Sequence, residues 1–351
     1  MSSQTRTRTD VSQQTNQGER MMEQFLPYLN DGALVEEMVG ANGKDTYVMP
    51  ARRNAGHVAI ALIREITAPA VFRNAEEEIT DIEGRDGVRR VRATPSKFKF
   101  GERGRGLLVL RSWSVGGRLP QNRTAVGERM PLRDAFDLNT LVFGDSAMSG
   151  TRVLPVKAAV QYSDALSTVP YRDAVGESFH HRGDETGTLW DAENKRNTEN
   201  LFTRHFVLPG TLLVQVLTSN GRQLPPIGLD HLLLSLGLAG SYGGQTSITG
   251  VNVRTHVAGI FGSRLETPLS SPYELLRELH HVHDVSDLCD RIVETMTPQF
   301  QVHAATAEAS DHQRQLVDAF ERDDTDLRNR YEEAAQQVAD LFEQHFTPKK
   351  A

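Results

Sequence analysis

The side chains best able to do chemistry cluster in HHVHDVSDLC, which holds His280, His281, His283 and Cys289. Imidazole nitrogens and a thiolate can bind zinc, but this spacing matches no common zinc pattern. His180 and His181 stand far away in the chain, and histidines in polar helical sequence are mostly solvated. No metal ligand is therefore assigned. No GxSxG elbow, HExxH pair, DFG set or supported Cys–His pair appears. Asp145 and Asp164 sit beside glycine or small residues and read as turn or helix-capping carboxylates. The sequence thus assigns no catalytic residue and calls for no cofactor.

Two other stretches carry the chemistry of binding. KFKFGERGR (97–105) alternates basic and aromatic residues, which on a strand puts Phe98 and Phe100 on one face and Lys97 and Lys99 on the other. With a strand over 107–113 and a Gly/Arg connection over 115–130, it reads as a projecting basic hairpin. Cations on such an element lie against a sugar-phosphate backbone, and an aromatic can stack on a base. The plain alternative is an exposed hairpin whose aromatics form a small local core. The second stretch is LDHLLLSLGLAGSYGGQTSITGVNVRTHVAGI (229–260). Here Leu232, Leu233, Leu236 and Ala239 mark a short helix, then side chains shrink to Gly, Ser, Thr and Gln before an alternating strand. Backbone amides of such a loop can approach something anionic, because few side chains block the way. The helix ends at the glycines and no Gly-Lys-Ser/Thr follows, which argues against a P-loop hydrolase. A turn-rich connection with capping glycines is the structural alternative.

The elements that must position these stretches follow from the rest of the chain. With 351 residues and 38% hydrophobic content, it can build two ordinary domains or one core with large insertions. No apolar run approaches the roughly eighteen residues of a membrane span, and no signal-peptide core follows Met1, so a cytoplasmic protein without membrane contact is expected. One cysteine excludes an internal disulfide and a Cys-rich zinc module. The net charge of −7 conceals segregation: residues 85–133 hold 13 Lys and Arg against 3 acids, and residues 305–346 hold 4 Arg against 11 acids. Such a localised basic stretch suits a polyanion site, although a charge run is also the mark of a solvated face.

Residues 1–20 are polar and read as a disordered tail. Helix is expected over 21–39, interrupted at Pro27, and again over 132–141. The first half of 57–72 is the best candidate for a central strand, with the polar pair Arg73 and Asn74 at its exit. Residues 164–205 lack periodicity and read as an insertion or functional loop. A strand pattern returns over 206–217. Helical sequence begins at Ser271-Pro272, and the last stretch keeps a period of about 3.5 residues, as a long amphipathic helix on the core or a neighbouring chain does.

Four segments together resemble a known family: IREITAPAVFRN (63–74), LVFGDSA (141–147), VQYSDALS (160–167) and VLTSNGRQLPPIGLDHLLLSLGLAGSYGGQTSITGVNVRTHVAGIFG (216–262). They resemble the backbone subunit of type I-D CRISPR effector (Cascade) complexes, of the repeat-associated RRM-like superfamily, over most of residues 45–280. The resemblance implies an α+β, RRM-like (ferredoxin-like) core over 21–268, with insertions at 85–130 and 164–205 and a helical region over 269–347. Both insertions are candidates for the family's thumb hairpin. It further implies that copies stack head to tail along a CRISPR guide RNA, present its spacer to the target DNA strand and meet other type I-D subunits. Carried onto this sequence, guide-binding roles fall to Lys97, Lys99, Arg103, Arg105 and Arg111 in the basic element. They fall also to Gly240, Ser241, Gly243, Gly244, Gln245 and Thr246 in the loop, and to Arg73 and Asn74. Two departures stand out. The single cysteine offers no equivalent of a zinc-stabilised insertion, and Thr67-Ala68-Pro69 supplies no aspartate where RNA-cutting relatives have one. A metal-dependent nuclease acting on the guide-paired strand remains the enzyme alternative, and a nucleotide-binding α/β enzyme a third.

Overall fold

A computed structural model describes residues 21–30, 35–39, 43, 46–50, 55–72, 79–118, 137–149, 152–156, 158–181, 183–184, 187–188, 190–193, 195–197, 201–243, 250–279 and 282–346. After a 3-10 turn at Leu26–Tyr28 come β1 (Val35–Val39), β2 (Thr46–Pro50), β3 (His57–Ile66), β4 (Asp81–Glu83), β5 (Arg89–Ala93) and α1 (Ser96–Ser112). Next are α2 (Leu138–Phe143), β6 (Asp145–Ser149), β7 (Arg152–Val156), β8 (Val160–Tyr162), β9 (Ala165–Pro170), α3 (Tyr171–Ala174) and β10 (Val175–His181). Short strands β11 (Gly183–Asp184), β12 (Gly187–Thr188), β13 (Trp190–Asp191) and β14 (Arg196–Asn197) lead to β15 (Leu201–Val207), β16 (Leu212–Ser219), α4 (Pro226–Leu238) and β17 (Val253–Ser263). The chain closes with α5 (Pro272–Glu278), α6 (Val285–Met296), β18 (Val302–Ala304), α7 (Thr306–Glu321) and α8 (Thr325–Phe346).

The centre is an antiparallel sheet of order β18-β17-β3-β16-β9-β5-β4, with β8 paired to the end of β16. Alternation along β3 splits the core into two layers. Val58, Ile60 and Leu62 pack with Val109 and Leu110 of α1, Leu229, Leu232 and Leu236 of α4, and the C-terminal helices. Ala59, Ala61 and Ile63 pack with Leu275, Leu276 and Leu279 on the α5 side and Leu288, Cys289, Ile292 and Met296 of α6. Helices cover both faces, which is why HVAIALI reads as an unbroken apolar run.

Several expectations need correction. Over its described part, residues 85–118, the basic stretch is not a projecting hairpin: β4 and β5 form a hairpin at the sheet edge, and residues 96–112 are helical throughout, while residues 119–130 of the expected connection lie outside the described residues. The KFKF alternation is only four residues long. Phe98, Glu102, Val109 and Leu110 instead bury one helical face. Its glycines serve packing: a Cβ on Gly106 would lie 2.3 Å from Asn139 Oδ1 and 2.7 Å from His231 Nε2. Residues 35–39 pair with β2 instead of extending a helix. The strand expected over 206–217 is two strands, divided at Gly210, whose φ of 88° a side chain disfavours. Within 164–205 lie a core strand, β9, and a two-stranded ribbon in which Val175 pairs with Val207 and His181 with Leu201. The acidic C-terminal helix is two helices, held on the core by Trp113, whose Nε1 donates to Asp323 Oδ1 at 2.7 Å and whose ring lies 5.0 Å from that of Tyr331.

Candidate nucleic-acid interface

Beneath the end of α1 lies a buried polar network that sequence reasoning missed. Arg64 of β3 and Glu102 of α1 pair at 2.6 Å with both side chains 0% exposed. Arg64 also donates to Gln215 Oε1 from Nε (3.0 Å) and Nη2 (2.8 Å), and to Thr255 Oγ1 from Nη1 (2.7 Å), while its guanidinium stacks 4.5 Å from the Phe98 centroid. Burial works most strongly against the Arg64 charge, but Glu102, Tyr242 and Tyr162 together outweigh it and hold the guanidinium above its ordinary pKa. Glu102 accepts from Tyr162 Oη at 2.6 Å and Tyr242 Oη at 2.9 Å. Burial, reinforced by the Glu102 charge, raises the pKa of both phenols and keeps them protonated donors. The signal was present in the sequence: Arg64 interrupts an apolar strand, and Glu102 is the one acid of KFKFGERGR.

This network fixes the Gly-rich loop. Tyr242 N donates to Asn252 Oδ1 (2.9 Å), and Asn252 Nδ2 donates back to Tyr242 O (2.8 Å). Asn252 N and Val253 N both donate to Gly240 O, and Ser241 Oγ donates to Gly250 O at 2.7 Å, closing the loop at its base. Gly243 has φ 110°, and a Cβ there would meet Val71 O at 2.8 Å, so this position admits only glycine. Thr67 N and Ala68 N donate to Asn252 O, bringing the exit of β3 against the same loop.

The predicted residues divide accordingly. Gly240, Ser241 and Gly243 form the loop's described base, and Lys97, Lys99, Arg103 and Arg105 lie along the first half of α1, partly exposed. Gly101 joins the two, since a Cβ there would lie 3.3 Å from the Tyr242 ring and 3.8 Å from Ser241 O. Arg111 is not brought to this end: it is about 21 Å along the helix from Lys97, and its Nε donates to Gly117 O at 2.6 Å. Arg73, Asn74, Gly244, Gln245 and Thr246 lie outside the described residues. Burial lowers the pKa of Lys97 and of Lys99, the latter helped by the Arg103 charge. These cations are thus held partly stripped of water, where an anion is most welcome.

Much of the remaining basic segment is neutralised. Arg89 pairs with Asp81, Arg90 with Asp86 at 2.6 Å, and Arg92 with Asp164 at 2.8 Å. Among the described residues, the local charge excess therefore narrows mainly to α1. Among the described residues no group of three or more His, Cys, Asp or Glu side chains comes together. His280 and His281 lie outside the described residues. Cys289 is a core residue, its thiol pushed up to about 11 by burial, which makes it a poor nucleophile at neutral pH. Asp164 is engaged by Arg92 and Tyr273.

Fold and site together define a mixed α/β protein: a central antiparallel sheet, a helical layer on each face, and a Gly-rich loop locked to a basic helix end. A family model described as Csc2 Crispr matches residues 122–345, more than half of the chain. The chain belongs to this Csc2 family of CRISPR proteins. The match runs through the C-terminal helices, beyond the span the sequence resemblance covered. The crystal structure of Csc2 from Thermofilum pendens is similar with a TM-score of 0.56 at 15% identity, covering 91% of this chain and 94% of that one, a likeness of fold. A chain of a CRISPR RNA-guided surveillance complex in a pre-nicking state aligns with a TM-score of 0.48 at 12% identity, over 75% of this chain and 99% of its own. No curated protein matches the sequence.

Proposed function

We propose that the protein binds CRISPR guide RNA without regard to sequence, as the repeating backbone subunit of a type I-D interference complex in the cytoplasm. Copies stack head to tail along the guide and present its spacer to the target DNA strand, alongside the other subunits of that complex. Membership of the Csc2 CRISPR family supports this reading. So does the order of connections β3–α1–β9–β16–α4–β17 with sheet order β17-β3-β16-β9, the arrangement expected of an RRM-like, ferredoxin-like core. The observation that carries it is the lock between α1 and the Gly-rich loop through Tyr242 and Glu102, which sets the base of the loop against the helix beside the turn that bears Lys97. Phosphate groups suit both surfaces, and neither reads a base edge. Guide contacts fall to Lys97, Lys99, Arg103, Arg105 and residues 240–246, with Arg73 and Asn74, which follow Phe72 in sequence. The β10–β15 ribbon is the better candidate for the thumb, since the described part of the basic segment, residues 85–118, folds into the sheet edge and a helix. Purification after coexpression with a CRISPR transcript tests the reading. Bound transcript of protected, regular length is the expected result, and protein free of RNA would overturn it.

A further inference from the structure

The fold sends the two phenylalanines of KFKF opposite ways. Phe98 is buried, its ring centroid 5.3 Å from that of Phe72 and 5.2 Å from that of Tyr242. Phe100 is 75% exposed, more than any other large hydrophobic side chain among the described residues. A singly exposed hydrophobe is ordinary on a protein surface. Phe100 differs in its setting. Lys97 precedes it by one helical turn and Lys99 is adjacent. The residue that follows, Gly101, lies against Tyr242 and Ser241 of the Gly-rich loop. Helical side chains lean toward the N-terminus, so the ring covers the turn that bears Lys97. An aromatic face flanked by cations, beside a loop of small residues, has the chemistry that holds a single-stranded nucleic acid: phosphates to the cations, a base to the ring.

We propose that Phe100 is a stacking platform for one unpaired base of a single-stranded RNA whose phosphates lie along Lys97, Lys99 and the described base of the Gly-rich loop, residues 240–243. This rests on the RNA-binding reading above and adds the residue that receives a base. Every base offers a π face, so the contact is tolerant of sequence, as a guide-binding surface requires.

The test uses full-length protein carrying Trp190→Phe, with Trp113 as a constant buried background, and mixed-sequence single-stranded RNA. In Phe100→Trp, the new indole emission is quenched in step with binding followed by RNA anisotropy, and affinity is retained. In Phe100→Ala, affinity falls about tenfold, while the dependence of log affinity on log salt keeps its slope, because no charge is removed. Unchanged affinity in Phe100→Ala with no quenching in Phe100→Trp overturns the inference and leaves the RNA-binding reading standing. Unchanged affinity with impaired self-association in Phe100→Ala also overturns it, assigning the ring to the interface between copies. Failure of the parent protein to bind RNA overturns the reading and the inference together.

Discussion

Tyr242 Oη donates to Glu102 Oε1 at 2.9 Å, and the same carboxylate oxygen holds Arg64 at 2.6 Å. One carboxylate thus ties the Gly-rich loop, helix α1 and the central strand β3 together without a water-exposed contact. Removing its charge by Glu102→Gln leaves the Arg64 guanidinium buried and uncompensated, with an expected loss of about 3–5 kcal/mol. Tyr242→Phe removes one hydrogen bond to a charged acceptor, and about 1.5–3 kcal/mol is expected. Urea denaturation of the two variants should preserve this order. Equal effects would mean that Glu102 serves the loop and not the arginine.

Gly106 decides the distance between α1 and α4. Alanine is the better helix former by about 1 kcal/mol, yet its Cβ would meet Asn139, His231 and Ser235 at 2.3–2.8 Å. Overpacking of a buried contact costs about 1–3 kcal/mol, so Gly106→Ala should lower stability despite the gain in propensity. A raised melting temperature would show that the helices have room to part.

His231 makes stability depend on pH. Burial lowers its pKa to about 3, and it hydrogen-bonds Asn139 at 3.0 Å and Tyr331 at 3.1 Å as a neutral ring. Its folded pKa lies below the unfolded value of 6.5, so its contribution is complete above pH 6.5 and declines as pH falls toward 3. The expected slope is about 1.4 kcal/mol per pH unit inside that window. Denaturant midpoints at pH 7 and pH 5 should separate for the parent protein and converge for His231→Gln. An equal separation in both would place the acid sensitivity elsewhere.

Lys97 and Lys99 hold charge at the loop end of α1, while Arg89, Arg90 and Arg92 are spent on Asp81, Asp86 and Asp164. The double substitution to alanine should weaken RNA binding and reduce the slope of log affinity against log salt by about 1.4, near 0.7 for each phosphate of a single strand that is no longer neutralised. Stability should move by less than about 1 kcal/mol. Arg89→Ala should leave RNA affinity unchanged. The reverse pattern would move the groove to the β4–β5 edge.

The parts of this molecule that were legible in sequence are those where one period dominates. Leu229, Leu232, Leu233 and Leu236 keep helical spacing and lie in α4, and the apolar run HVAIALI is the central strand β3. Helix α1 was obscured because Gly101, Gly104 and Gly106 imitate loop punctuation, and what Gly101 and Gly106 permit, close approach to Tyr242 and α4, is visible only in three dimensions. The Arg64–Glu102 pair was equally hidden, since 38 residues and a sheet hairpin separate the partners in sequence. The helix that precedes the Gly-rich stretch ends at Leu238, where its apolar spacing gives way to small residues. What holds its base, Tyr242 and Asn252, gave no periodic signal, because hydrogen bonds between single side chains and backbone leave none.

The central claim is that this surface grips an RNA strand through its phosphates. Its most direct test is the affinity of the full-length protein for two single-stranded RNAs of unrelated sequence, measured across a range of salt concentrations. The account predicts matching affinities at every salt and a steep linear fall of log affinity with log salt. A strong preference for one sequence, or affinity that ignores salt, would contradict it.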